Sequence, residues 1–295
     1  MREPPIWRLV DSEGPPRTGA DNMARDQALL ESVQAGGHPA LRLYAWDPPC
    51  LSFGRNQPAR GIYDPAAAAA RGIDVVRRPT GGRAVLHDRE VTYAVAVPVG
   101  TLGSPRETYV AINRALVAGL RALGVAARVA GATELPLASE PGGRAAAGSG
   151  TGSRGAGAAL GPAPCFEAAA PGEVVAGGLK LVGSAQRCER RVLLQHGSLL
   201  LDGDQSVILS LLAAPDGPTL SALPRPGAAS PPGAATLAAL LGCAPLRGVV
   251  EAALVGGFEE ALGIRLARVA LSPDEERAAA RWQRHFGSAA WTWRR

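Results

Sequence analysis

Residues 173–202 leave little choice of secondary structure. EVVA (173–176) is followed by Gly177-Gly178, then LKLVGSAQ (179–186), then RRVLLQHGSLLLD (190–202). Short Val- and Leu-rich runs separated by two glycines form a hairpin, because paired glycines adopt the positive φ of a tight turn without steric cost. The third run adds another strand. A chain with such a unit must build a sheet and bury a face of it. Side chains carried on those strands are held rigidly, as a reaction requires.

One of those side chains is chemically distinct. Of the 31 Lys and Arg residues, Lys180 is the only lysine. Arginine cannot be deprotonated in a protein, and lysine can. The surrounding segment, CFEAAAPGEVVAGGLKLVGSAQRCERRVLLQHGS (165–198), also holds Cys165, the run Gly183-Ser184-Ala185-Gln186, and His196-Gly197-Ser198. A thiol is a nucleophile only as thiolate, and a nearby cation favours that form. Cys165 lies in the loop leading into the hairpin that carries Lys180. Spacing alone does not bring the two together. A cysteine packed as a small hydrophobe and a lysine spared by chance stay open at this point.

A second glycine-rich segment lies upstream. IDVVRRP (73–79) and VTYAVAVPV (91–99) read as strands around TGGRAVLHD (80–88). A strand pair would then enclose a glycine turn flanked by Arg77, Arg78, Arg83 and His87. Backbone N–H groups in such a turn can cradle an anion or a carbonyl oxygen. The segment matches neither GxxxxGK[ST] nor a full GxGxxG, so a nucleotide loop of those kinds is not supported. Gly54-Arg55-Asn56-Gln57 forms another turn rich in hydrogen-bonding groups.

The remaining elements read as scaffold. A strand and a loop open the chain and lead to a helix capped by Asp21, with Met23, Leu30 and Val33 inward and Gly36 as its stop. LRLYAW (41–46) alternates as a half-buried strand. Asp64 caps a short helix with Pro65 at its first position and Gly72 after its end. Ser104 and Glu107 have capping-box spacing before a helix to Gly124, with Tyr109, Ile112, Leu116, Leu120 and Leu123 on one face. Helices are also expected at 205–213, 247–262 and 273–286, the last opened by Ser272-Pro273-Asp274-Glu275. The two tryptophans of the closing WTWRR are expected to pack on the core. Residues 138–163, nearly devoid of core-forming side chains, read as a flexible insertion, and 221–233 as a Pro-rich linker.

Composition removes several classes of function. The four cysteines form no CxxC pair, so neither a zinc site nor any other metal is expected. No apolar run approaches the ~20 residues of a membrane span, and no signal peptide opens the chain. A cytoplasmic, monomeric protein is expected. Net charge is +5, which favours acidic partners. No Lys/Arg block is interleaved with aromatics, so nucleic acid is not expected.

RRPTGGRAVLHDREVTYAV (77–95) closely resembles the RRxxGGxAVxH motif of the biotin/lipoate protein ligase superfamily. GLKLVGSAQRCERRVLLQHGSLLLD (178–202) resembles its second motif, a lysine before G-S/N-A-Q and a strand ending in His-Gly-Ser. PCFEA (164–168) is similar to the cysteine motif of LipM-type octanoyltransferases. The resemblance implies an α/β (α+β) fold, a mixed and largely antiparallel sheet with flanking helices. It implies a catalytic domain over 1–220 carrying the 138–163 insertion, with 234–295 as a helical segment packed on it.

It also implies transfer of an octanoyl group from octanoyl-acyl carrier protein to a lysine of a lipoyl domain such as glycine cleavage H protein, without a cofactor. By position, Cys165 would carry the acyl thioester. Lys180 would lower the thiol pKa and serve in acid/base steps. Arg77, Arg78, Thr80, Gly81, Gly82, Arg83, His87, Gly183, Ser184, Ala185, Gln186 and His196 would form the substrate cleft. Cys188 would be structural. Two departures stand out: EAAAPGE after the cysteine lacks the family's aromatics, and Arg83 replaces the third glycine usual in lipoate ligases. The alternatives are an ATP-dependent lipoate–protein ligase, an octanoyl amidotransferase between lipoyl domains, and a non-enzymatic binder of lipoyl domains.

Overall fold

The computed structural model describes residues 3–131, 171–213 and 234–295. Cys165, the 138–163 insertion and the 221–233 linker lie outside the described residues.

The 173–202 unit forms as its turn chemistry requires. β8 (Val174–Ala176) turns at Gly177 and Gly178, with φ of 58° and 81°, into β9 (Leu179–Glu189). β9 runs three residues past the expected end. It turns at Arg190 and Arg191, both with positive φ, into β10 (Val192–Leu200). Every residue of β10 is buried, which marks a strand covered on both faces.

β10 sits inside an eight-stranded sheet of order β11-β1-β2-β6-β10-β9-β8-β7. The other members are β1 (Ile6–Val10), β2 (Ala40–Tyr44), β6 (Glu90–Pro98), β7 (Arg128–Val129) and β11 (Arg265–Arg268). β1 pairs in parallel with β2 and β11, and all other neighbours are antiparallel. The fold class is therefore mixed α/β with a largely antiparallel sheet, as expected.

Two helical layers cover the sheet. α3 (Pro105–Ala122), the short α4 (Leu237–Leu241) and α5 (Arg247–Leu262) close one face, burying Ile112, Leu116, Leu120, Leu237, Val250, Leu254 and Phe258 on Tyr93, Val95 and Leu193. α1 (Gly19–Gln34) and α6 (Pro273–Phe286) close the other, packing Met23, Leu30, Ala279 and Phe286 over Ala94, Ala96 and Leu194. Both expected capping boxes form, at Ser104/Glu107 and Ser272/Glu275. The cap of α1 is Thr18, whose side chain accepts from the Asp21 N–H, and not Asp21 itself.

Three expectations need correction. LRLYAW is not half-buried: β2 is central, and all five of its residues are buried. Its polar side chains find partners beneath α1. The strand pair around the glycine turn is not a pair. β4 (Asp74–Arg77) and β5 (Val85–His87) are the outer strands of a separate sheet, with β3 (Cys50–Phe53) between them, and β6 belongs to the large sheet. Residues 205–211 form a 3-10 turn. Together with α2 (Pro65–Ala70), this turn completes the small core of Leu51, Phe53, Tyr63, Leu86, Ile208 and Leu211.

Candidate active site

The two sheets meet across a cleft. From the large sheet come Gly183, Ser184 and Ala185 of β9, His196, Gly197 and Ser198 of β10, and Thr92 of β6. From the small sheet and its turn come Arg78, Gly82, Val85 and His87. Met23, Tyr44 and Trp46 close it. Seven of the residues expected to bind substrate thus line this one cleft: Arg78, Gly82, His87, Gly183, Ser184, Ala185 and His196. They come from segments about one hundred residues apart in the chain, joined by β6–β10 pairing with His196 opposite Ala94.

Close backbone approach explains two glycines. A Cβ at Gly54, at the end of β3, would fall 1.9 Å from the Gly82 carbonyl oxygen. A Cβ at Gly197 would fall 2.5 Å from the Gly183 carbonyl oxygen. Side chains at these positions would push the turn and the β9 wall apart.

Beneath the cleft run two buried chains of carboxylate, imidazole and hydroxyl. In the first, Arg42 donates to Asp26 Oδ1 (2.8 Å) and to Asp11 Oδ2 (2.7 Å). His196 Nδ1 lies 3.0 Å from Asp26 Oδ2, and its Nε2 lies 2.5 Å from Thr80 Oγ1. Burial pushes the His196 pKa below its usual value, and Arg78 and His87 add to this against the pull of Asp26. The neutral ring must donate from Nδ1, since a carboxylate only accepts, and Nε2 then accepts from Thr80. In the second chain, His87 Nδ1 lies 2.8 Å from Glu90 Oε1, and its Nε2 lies 2.7 Å from Ser52 Oγ. Ser198 donates to the same Glu90 oxygen at 2.8 Å. The His87 ring stacks on Trp46 with centroids 4.0 Å apart. Both imidazoles are thereby fixed in tautomer and orientation.

Lys180 is buried at 4% exposure, and its Nζ donates to Glu173 Oε1 at 2.8 Å. It stands three residues before Gly183 on β9. The other expected site residues are placed differently. Arg77 is fully buried and donates to the carbonyls of Gly54 (2.7 Å), Gln57 (2.7 Å) and Thr292 (2.9 Å). It therefore ties strands to the C-terminal segment instead of lining the cleft. Burial, then Arg294, Arg295 and Arg78, bring its pKa down to about 10. Arg78 donates to the carbonyls of Gly81 and Arg83, so those two residues shape the turn through their backbones. Gln186 bonds Pro105 O and Gln195 on the α3 side of β9. Thr80 is buried under the lining.

Among the other cysteines, Cys50 is buried and its thiol pKa is pushed well up, first by burial and then by Asp74. Cys188, expected to be structural, is exposed near the β9–β10 turn, beyond the covered part of the strand.

The sequence reading missed Asp26, Arg42, Glu90, Trp46 and Ser52. A signal was present for Arg42, a charge at the centre of an apolar strand, and for Asp26, an acid on the buried stripe of α1.

Residues 18–258 match the lipoyl protein ligase A/B catalytic domain. Octanoyltransferase LipM of Kyrpidia tusciae is 41% identical over 294 residues, covering 98% of this chain and 99% of its own. Octanoyltransferase LipM of Symbiobacterium thermophilum is 37% identical, covering 92% of each. Among solved structures, lipoate-protein ligase A bound with ATP superposes with a TM-score of 0.69 at 22% identity, covering 99% of each chain. The bipartite lipoate protein ligase of Thermoplasma acidophilum gives 0.69 at 22% identity, covering 99% of this chain and 97% of that one. At that identity the structures speak for the fold.

Proposed function

The chain belongs to the lipoyl protein ligase A/B catalytic domain family, and from that premise we propose that it is an octanoyltransferase of protein lipoylation, moving an octanoyl group from octanoyl-acyl carrier protein to a lysine of a lipoyl domain such as glycine cleavage H protein. The observation that carries this reading is the cleft itself. It sets Arg78, Gly82 and His87 against Gly183–Ala185 and His196, beside the strand bearing the chain's one lysine. LipM relatives at 41% and 37% identity point to the octanoyl group.

In the proposed cycle the Cys165 thiolate attacks the octanoyl thioester carbonyl. The tetrahedral intermediate collapses, its C–S bond to the carrier breaks, and the departing thiolate takes a proton from Lys180. The acceptor lysine, as free amine, then attacks the acyl-cysteine. The C–N bond forms, the Cys165 thiolate leaves, and the amine proton returns to Lys180. Thioester exchange is nearly balanced and amide formation runs downhill, so neither step needs ATP. Splitting one transfer into two lowers each barrier.

Met23, Val85, Tyr44 and Trp46 give the acyl chain an apolar wall. Backbone N–H groups near Gly82 or Gly183 would hold the oxyanion, each donor being worth roughly 3 kcal/mol. Glu173 keeps the Lys180 ammonium in place, and the fixed imidazoles of His87 and His196 stiffen the walls.

The test is intact mass after incubation with octanoyl-acyl carrier protein alone. One octanoyl adduct is expected, released by hydroxylamine and absent in Cys165→Ser. Should Cys165→Ser still modify a lipoyl domain, and only with ATP and free acid, the protein would be a ligase and this reading would fall.

A further inference from the structure

Four arginines gather near the rim of the cleft, two of them over one tryptophan. Arg294 lies over the Trp291 ring at 4.0 Å, and Arg55 lies over the same ring at 5.8 Å. Arg294 also donates to the Arg55 carbonyl. A main-chain oxygen of Arg295 accepts from the N–H groups of Ala59 and Arg60, which anchors the tail against the loop that follows Arg55. Arg187 lies on β9 two residues beyond Ala185, and Arg55 follows Gly54, whose backbone abuts Gly82. The group therefore borders both walls of the cleft.

Its charge is only partly compensated. Among the described residues, Arg187 has a carboxylate partner, Glu189 at 2.6 Å, but Arg55, Arg294 and Arg295 make no ion pair within 4.0 Å. Fully buried Arg77, just behind them, keeps one guanidinium nitrogen without a hydrogen bond. The mutual repulsion is felt: after burial, Arg55 is the next cause lowering the pKa of both Arg187 and Arg294. An anionic surface seated on these guanidiniums would offset the cost of their convergence.

We propose that Arg55, Arg187, Arg294 and Arg295 form the docking surface for the acidic acyl donor, the carrier protein with its acyl group on a phosphate-bearing arm. The assignment rests on the transferase reading above. Guanidinium forks suit both carboxylate and phosphate, and the donor brings both to the rim at once. Acidic side chains meet the patch as the arm's phosphodiester passes over it and the acyl chain enters the cleft. The acceptor offers carboxylates alone.

The experiment compares the intact enzyme with Arg55→Glu, Arg187→Glu and the double variant. The donors are octanoyl-acyl carrier protein and octanoyl-N-acetylcysteamine, a neutral thioester with neither acidic protein nor phosphate. For the double variant, kcat/KM with the carrier donor should fall about 100-fold, and its dependence on salt should flatten. With the neutral thioester, kcat/KM should stay within about twofold, which also reports correct folding, and KM for the lipoyl domain should not move. Equal losses with both donors, a rise confined to the acceptor KM, or no loss with the carrier would each overturn the proposal. If the unchanged enzyme transfers from neither donor, the transferase reading itself fails.

Discussion

At the scale of single residues, the decisive pair is Lys180 with Glu173. Their side chains are 3% and 10% exposed, and the contact is 2.8 Å. Removing one member of such a pair leaves an ion out of water without its counter-charge, which costs far more than the intact pair contributes. Glu173→Gln should therefore cost about 3 kcal/mol of stability. Adding Lys180→Met should recover much of that loss, because the buried ammonium deprived of this counter-charge is then gone. Urea unfolding of the two single variants and the double variant checks this, and additive losses would contradict it. Glu173→Gln should also slow acyl transfer about tenfold, since Nζ then loses the charged partner that orients it at 2.8 Å. The lysine was legible in the sequence because it is solitary. Its carboxylate was not, because a Glu seven residues upstream signals nothing until the β8–β9 turn folds the two strands together. Arg77 and Arg78 show the converse limit. They are adjacent and chemically identical, and carbonyls hold both, yet Arg78 lines the cleft and Arg77 lies behind it. Pleat direction decides between them, and it depends on a β3 partner that no local pattern specifies.

At the scale of elements, α6 shows how far local signals reach. Ser272 and Glu275 announce its start, and both capping bonds form. Glu275 does more than cap. It accepts from both terminal nitrogens of Arg8 on β1, at 2.5 and 2.7 Å, and so pins α6 to the sheet. Burial opposes its charge, but Arg8 and the Ser272 N–H outweigh burial and bring the Glu275 pKa down to about 2. A carboxylate with a depressed native pKa stabilises the fold fully above its unfolded value, near 4.5. That contribution is lost as pH falls from there through about 2. The shift corresponds to about 3 kcal/mol. Glu275→Gln should thus be clearly less stable than the unchanged protein near neutral pH and nearly equal to it at about pH 2, by denaturant unfolding at each pH. Elements without such signals were not seen. β11 is RLAR, short and largely exposed, and it exists because β1 offers it an edge. β2 looked half-buried because Arg42 and Tyr44 are polar. In fact α1 supplies Asn22 and Asp26 to satisfy them, so alternation reported polarity and not exposure.

At the scale of the whole molecule, two cores must hold a fixed spacing if the cleft between them is to keep its shape. The C-terminal segment does this with its two tryptophans. Trp291 packs into the α1–α6 core beside His285 and Phe286, and its ring N–H donates to the Arg77 carbonyl at 2.7 Å. Trp293 enters the small-sheet core, 5.4 Å from Phe53. Between them, the carbonyls of Trp291 and Thr292 accept from the Arg77 guanidinium. The sequence reading that the tryptophans pack inward was right. That they pack into different cores could not be read from WTWRR, since the existence of two cores depends on β3 leaving the large sheet. The consequence is measurable. Trp291→Ala and Trp293→Ala should each cost about 2–3 kcal/mol, these side chains being half-buried and not fully enclosed. Because both fasten the same five-residue tail, loss of either releases part of the other's contact. The double variant should then cost less than the sum of the singles. Either single variant should also raise hydrogen exchange at β3 and β5 more than at β10, as the small sheet loosens from an otherwise intact large one. Strict additivity with unchanged exchange in the small sheet would mean that the two tryptophans act separately, and that the cleft owes its spacing to the sheets alone.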